Sequence, residues 1–155
     1  MTRNRRGFSF LELITVVAVL GILVGISIPQ YQQVRRRADA AKVVGAVHVV
    51  RHAAYSYNES TQEWPPAAAF GSTPPGLASY LPSGFSLTQP TFSLAWMSLD
   101  VVQDGLTQTT HTIGISVPDG LTCQEVESML GGSSNADVTA LCWAGGGQVQ
   151  VNVDR

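Results

Sequence analysis

The sequence predicts an α+β fold in which a long N-terminal helix is followed by an antiparallel sheet of about four strands. An apolar run from Phe8 to Ile28, helical spacing of apolar residues as far as Tyr57, and short alternating segments after Thr91 lead to this prediction. A chain of 155 residues suits one modest domain plus a tail. The predicted segments are residues 1–7, 8–28, 29–57 and 58–155, the last with a loop over 58–90 and the sheet over 91–155.

The apolar run is long enough to cross a membrane. Its twenty-one residues are close to the roughly 20 that span a bilayer core as a helix. A secretory signal peptide is the alternative interpretation, with Met1–Arg6 as its basic region. That alternative is disfavoured because the run exceeds the usual apolar core of roughly 7–15 residues, and Gly25-Ile26-Ser27 is a poor cleavage site.

Glu12 is the single ionisable residue between Phe8 and Ile28. A carboxylate costs roughly 2.5–3.5 kcal/mol near the centre of a spanning helix and less towards its ends. Neither a signal peptide nor a simple anchor needs such a residue. It is either an acid near the helix end that reaches the headgroups, or an acid retained for a partner charge that arrives later.

The segment Arg5-Arg6-Gly7-Phe8-Ser9-Phe10-Leu11-Glu12-Leu13 resembles the leader junction of type IV pilins and pseudopilins, commonly G-F-T-L-I-E. A short basic leader, Gly before the cut, Phe after it and Glu five residues into the mature chain occur together. Ser9 and Phe10 depart mildly from the common residues. Gly21 and Pro29 also lie where pilins commonly have a helix-loosening glycine and proline.

This resemblance implies a pilin fold and a series of partners. A prepilin peptidase/methyltransferase would cut after Gly7 and methylate the amine of Phe8. Other pilin subunits would then pair that amine with Glu12, with help from inner-membrane assembly machinery. Each charge is costly in lipid, and the pair neutralises both in a dry bundle. Gly21 and Pro29 would contribute to assembly of the same helix.

The charge distribution alone does not choose an orientation in the membrane, because arginines lie on both sides of the apolar run. The resemblance places the N-terminus in the cytoplasm and the body in the periplasm. The precursor would be a single-pass inner-membrane protein, and the mature subunit would enter an extracellular filament.

The helix is predicted to continue beyond Pro29, which removes one backbone hydrogen bond without necessarily ending it. Its apolar face is formed by residues at helical spacing: Val43, Val47, Val50, Ala54 and Tyr57. His48 and His52 share one side of this helix. No Glu follows His48, so the H-E-x-x-H zinc pattern is missing and we predict no metal site.

Proline and glycine dominate residues 58–90, which predicts turns and one short helix over Leu77–Leu81. Trp64, Phe70 and Tyr80 are expected to hold this loop on the body.

The predicted strands are Thr91–Val102, Thr109–Val117, Val138–Trp143 and Gln148–Val153. The first has Phe92, Leu94 and Trp96 on one face, and the last has Val149, Val151 and Val153. Gln103-Asp104-Gly105 indicates a hairpin turn, in a loop expected to run longer. Thr122-Cys123-Gln124-Glu125 matches a capping box that opens a helix ending at Leu130. His111 is expected to face solvent.

Cys123 and Cys142 are the two cysteines of the chain. For a body that crosses a membrane, a disulfide between them is the economical interpretation, worth about 3 kcal/mol by the loop-entropy model. Two buried free thiols are the alternative. The resemblance favours the bridge, because pilins often have a C-terminal region bounded by a disulfide.

Charge and motifs favour a structural protein. Without residues 1–7, six basic and eleven acidic side chains remain, a formal net charge of −5, and no Lys or Arg lies between Arg51 and Arg155. This does not indicate a nucleic-acid binder. No nucleophile, phosphate-binding or calcium motif occurs, so we predict no enzyme, cofactor or metal. The missing acid cluster favours a pilus subunit over the alternatives, a pseudopilin of type II secretion or DNA uptake and a membrane-tethered binding module.

Overall fold

The computed structural model of the chain describes residues 8–103, 106–131, 137–143 and 145–153. The elements in chain order are α1 (Phe10–Thr61), a 3-10 turn (Leu77–Ser79), β1 (Thr88–Gln89), β2 (Phe92–Gln103), β3 (Leu106–Val117), α2 (Gly120–Met129), β4 (Val138–Trp143) and β5 (Gly146–Asn152). The strands form one antiparallel sheet in the order β1-β2-β3-β5-β4. The α+β fold is therefore confirmed.

The chain divides into two compact units between Arg35 and Arg36. In the first, every described side chain from Phe8 to Arg35 is exposed. In the second, called the body below and beginning at Arg36, α1 buries seven residues: Ala40, Val43, Ala46, Val47, Val50, Ala53 and Ala54. These residues share one core with the sheet, and Tyr57 packs against it. The predicted helical face is confirmed.

The C-terminal end of α1 lies four residues beyond the predicted end at Tyr57. Residues 58–61 are polar, so they give no apolar spacing that would predict a helix. Their backbone nevertheless continues the hydrogen-bonded ladder, and the Gln62 N–H donates to the Asn58 carbonyl at 2.8 Å. Gln62 has a φ of 61°, which is a left-handed conformation that ends the helix.

The inner face of the sheet follows the predicted alternation. Leu94 pairs with Ile115, Trp96 with Ile113, and Ile115 with Val149, and all of these side chains are buried. Phe92, Val151 and Val153 belong to the same core. Fully burying such a side chain contributes about 1.5–3 kcal/mol to the free energy of folding, relative to leaving it exposed.

The β2–β3 hairpin is tighter than the longer loop expected. Pairing continues to Gln103 opposite Leu106, which leaves a two-residue connection. The connecting residues, Asp104 and Gly105, lie outside the described part of the chain. The fifth strand, β1, was also missed. It has only two residues, too few for an alternating pattern, and exists because it pairs with the start of β2.

The loop between α1 and β1 is fixed by aromatic residues. The Trp64 ring stacks on Trp96, with 5.9 Å between the ring centroids, and Trp96 Nε1–H donates to the Pro65 carbonyl at 2.8 Å. Tyr80 meets Tyr57 edge to face at 5.6 Å. The predicted helix over Leu77–Leu81 is only one 3-10 turn, Leu77–Ser79.

His111 corrects the expectation of a solvent-facing strand residue. Only 8% of it is exposed. Its ring stacks on Trp64 and on Trp96, with centroid distances of 5.0 and 5.8 Å. Trp64 comes from a distant loop, so no local pattern in β3 could predict this burial.

The helix α2 begins two residues before the predicted capping residue. Its N-cap is Asp119, whose Oδ2 accepts hydrogen bonds from the Thr122 N–H at 3.2 Å and from the Thr122 hydroxyl at 2.8 Å. The proposed capping box at Thr122–Glu125 is therefore wrong, because Thr122 already lies inside the first turn.

Candidate functional site

The N-terminal end of α1 is organised by Ser9 and Glu12. Ser9 precedes the first helical residue, and its carbonyl accepts the Leu13 N–H at 3.2 Å. The Ser9 N–H donates to Glu12 Oε2 at 3.2 Å. This is the reciprocal half of a capping box, in which an acid in the first turn satisfies the backbone donor of the N-cap. The S-x-x-E pattern at residues 9–12 could have predicted it.

This position lowers the cost of placing an acid in an apolar helix. The first turn of a helix has unpaired N–H groups and a partial positive charge, both of which favour a carboxylate. Glu12 lies in that turn. The acid is therefore stabilised locally while its side chain stays exposed and accessible to another chain.

The surface that follows Glu12 is apolar and uncovered. Within the part of the chain that the structure describes, α1 is the one helix long and apolar enough to cross a membrane. The Thr15 hydroxyl donates to the Glu12 carbonyl at 2.9 Å, and the Ser27 hydroxyl donates to the Leu23 carbonyl at 2.8 Å. Polar groups in lipid must be satisfied in this internal manner.

Gly21 and Pro29, the other residues predicted for assembly, lie on the same exposed helix. A Cβ added at Gly21 would meet nothing within 4 Å. Pro29 lies inside α1, which continues through it. Phe8 is exposed and precedes the helix. Gly7 lies outside the described residues.

The predicted bridge between Cys123 and Cys142 is present, with the two Cα atoms 5.7 Å apart. It connects α2 to β4, so the free-thiol alternative is wrong. Gly147 of β5 lies directly beside it, since an added Cβ would clash with Cys123 Sγ. A side chain larger than hydrogen does not fit there.

A metal centre has no support among the described side chains. His48 and His52 are both exposed on α1. Across the described ranges, no three His, Cys, Asp or Glu residues are grouped so that they could hold a metal ion.

Comparison with known families supports the interpretation of the N-terminal segment. Residues 2–28 match the family model of the prokaryotic N-terminal methylation motif. The chain contains a type IV pilin leader motif. This motif includes Gly7, Phe8 and Glu12, and it covers the exposed apolar part of α1.

Curated relatives are similar to this chain over about a third of its length. A fimbrial protein of Pseudomonas aeruginosa is 42% identical over 54 residues, 35% of each chain. The type IV major fimbrial protein FimA of Dichelobacter nodosus is 41% identical over 53 residues, 34% of each chain. A fimbrial protein of Neisseria meningitidis is 31% identical over 65 residues, 42% of this chain and 38% of the relative.

The similarity therefore spans little more than a third of the length of these relatives. No solved structure matched the chain significantly.

Proposed function

We propose that this chain is a structural subunit of a type IV pilus or related filament. It is inserted in the inner membrane with its body in the periplasm, cleaved after Gly7 by a prepilin peptidase and N-methylated at Phe8. Its N-terminal helix then packs with those of other subunits, and Glu12 pairs with the N-terminus of a neighbour. The names of the relatives, fimbrial protein and type IV major fimbrial protein, support this class of function.

The observation that supports the proposal most directly is Glu12 at the start of an uncovered apolar helix. All large apolar side chains described between Phe10 and Ile28 are exposed. Such a surface is stable in lipid or against copies of itself, and exposing it to water is costly. Assembly moves it from the first environment to the second.

Cleavage supplies the charge that Glu12 would pair with. Removing residues 1–7 makes Phe8 the N-terminal residue and gives it a cationic amine. In a dry helix bundle the carboxylate and the amine attract strongly, whereas either one alone would be an uncompensated buried charge. The pair therefore selects one axial register between neighbouring helices.

The capping bond between Ser9 and Glu12 permits a sharp test of this role. Glutamine also fits a capping box, so Glu12→Gln keeps the local hydrogen bond and removes the charge. Unpairing a buried ion pair costs about 3–5 kcal/mol. We therefore expect Glu12→Gln to insert normally and to lose sheared surface filaments by about 100-fold or more.

The matched control is Glu59→Gln, an exposed acid near the other end of α1, which should assemble normally. Wild-type filament yield from Glu12→Gln would refute the charge pairing and leave helix capping as the role of Glu12. Mass spectrometry of the wild-type filament should find N-methylated Phe8 at the N-terminus. An intact Met1 in a chain confined to the membrane would contradict the proposal as a whole.

A further inference from the structure

Three consecutive arginines follow the apolar part of α1: Arg35, Arg36 and Arg37, here called the arginine collar. Arg35 lies seven residues beyond Ile28, or about 10 Å along a helix. The polar layer on each side of a bilayer core is roughly 5–8 Å thick. Because arginine side chains are long and extend towards the headgroups, the collar reaches the phosphate level when the apolar run spans the core.

Tyr31 lies between the apolar run and the collar. It is 69% exposed and three residues beyond Ile28, which is about 4.5 Å along the helix. Exposed tyrosines with an apolar ring and a polar tip favour this boundary layer. Tyr31 therefore supports the same depth for the segment as the arginines do.

The arrangement of the collar fits a layer of headgroups. Successive residues of an α-helix point about 100° apart, so the three guanidinium groups fan around the axis instead of forming one stripe. Arg35 and Arg37 are exposed, and Arg36 is half-buried. The first fully buried residue of α1 is Ala40, beyond the collar. A single acidic patch on a protein would meet one side of this fan, whereas a lipid surface surrounds it.

The chain from Arg36 onward carries a net negative charge, which the collar can offset at an anionic membrane surface. From Arg36 onward the sequence has five basic and ten acidic residues. Such an acidic body is repelled by an anionic membrane surface within about one Debye length, roughly 8–10 Å. Arg37 approaches Glu125 at 3.7 Å, but its side chain is 60% exposed. Exposed pairs of this kind bind weakly, so Arg37 can exchange Glu125 for a phosphate.

We propose that the arginine collar binds the phosphate groups of anionic phospholipids where the N-terminal helix leaves the bilayer. Guanidinium groups bind phosphate oxygens with two parallel hydrogen bonds, which favours arginine over lysine at this task. The collar holds the acidic body at the membrane surface before assembly. This inference rests on the membrane insertion included in the proposed function.

The test uses the full chain reconstituted in phosphatidylcholine vesicles containing phosphatidylglycerol. Spin-labelled versions of the two lipids report, by electron spin resonance, which one contacts the protein. The background variant Arg3→Gln, Arg5→Gln, Arg6→Gln removes the leader arginines, so that the collar contains the remaining arginines near the bilayer. Each basic residue at an anionic surface favours an anionic lipid by about fivefold. The spin-label signal averages over all lipids that contact the protein, including those far from the collar. We therefore expect at least about twofold selectivity for phosphatidylglycerol over phosphatidylcholine.

Adding Arg35→Gln, Arg36→Gln, Arg37→Gln should abolish that selectivity, and salt should weaken it in the background variant. The control Lys42→Gln, Arg51→Gln removes cations farther along α1 and should retain it. Selectivity that survives the collar substitutions would overturn the proposal. If the collar variant keeps its lipid selectivity and also yields fewer filaments, the collar contacts another subunit instead of lipid. Vesicle flotation is measured in parallel: a chain that does not insert contradicts the proposed function, whereas an inserted chain without selectivity contradicts only the collar.

Discussion

The two units of the chain use apolar residues in opposite ways. Up to Arg35, large apolar side chains such as Leu23 are exposed, and the hydroxyls of Thr15 and Ser27 donate to carbonyls of their own helix. From Arg36 onward, apolar side chains from α1 and all the longer strands form one buried core. Leu94 in that core has no exposed surface, whereas Leu23 is 55% exposed.

This contrast shows that the first unit is adapted to surroundings outside the isolated chain. The second unit buries most of its described large apolar side chains internally, so its stability is a property of the monomer. The first can satisfy them only in lipid or against neighbouring helices, since each exposed apolar surface costs free energy in water. Substitutions that change body stability and substitutions that change assembly should therefore fall in different units.

The largest expected difference comes from the same substitution made in each unit. Leu94→Ala should lower the free energy of unfolding of the body by about 2–5 kcal/mol, because it leaves a cavity in a packed core. Leu23→Ala should leave it unchanged. Urea denaturation in detergent, followed by tryptophan fluorescence, measures both, since all three tryptophans lie in the second unit. Equal losses in the two variants would break the comparison.

Removal of the disulfide should also affect only the body. Cys123→Ala, Cys142→Ala is expected to lower the free energy of unfolding by about 3 kcal/mol, because the unfolded chain gains the freedom of the opened loop. Membrane insertion, measured by vesicle flotation, should be unaffected. A failure to insert would show that insertion depends on the folded body.

Two glycine substitutions sharpen the comparison at smaller magnitude. Gly147→Ala places a methyl against the disulfide and should cost about 1–3 kcal/mol of body stability. Gly21→Ala meets nothing within 4 Å and should favour the helix by about 1 kcal/mol. The midpoint temperature of thermal unfolding of the body should fall for Gly147→Ala and stay constant for Gly21→Ala. A fall for Gly21→Ala would mean that the first unit contributes to body stability.

The smallest expected effect concerns the capping of α2. Asp119→Ala removes the acceptor for the Thr122 N–H and hydroxyl and should cost about 1 kcal/mol. Glu125→Gln alters the acid of the predicted capping box and its exposed pair with Arg37, and should change stability by less than about 0.5 kcal/mol. Chemical denaturation distinguishes them. The reverse order would restore Thr122 as the capping residue.

Local patterns predicted a large share of the fold. Val43, Val47 and Val50 share the buried face of α1, and Val149 and Val151 share the buried face of β5. These faces are predictable because helical and strand periods are set by backbone geometry alone. The N-terminal unit was equally predictable, because an apolar run with one acid is defined by its composition. The S-x-x-E pattern of residues 9–12 is a further local signal, since it predicts how Glu12 is held.

Other features depended on competition between nearby partners. Asp119 and Thr122 are both suitable caps, and the sequence does not state which of them the backbone selects. The β1 strand exists through its pairing with β2, and the end of α1 lies in polar residues without spacing. Each is decided by a hydrogen bond whose alternatives differ by about 1 kcal/mol.

The sequence by itself determined the leader motif, the apolar helix with Glu12 and the alternating faces of the strands, since each is a property of a continuous segment. Only the tertiary structure decided that His111 is buried between Trp64 and Trp96, that Asp119 caps α2, and that Gly147 lies against the Cys123–Cys142 bridge. These contacts join residues far apart in the chain or choose among equivalent local partners. Their free energy appears only when the whole core is packed.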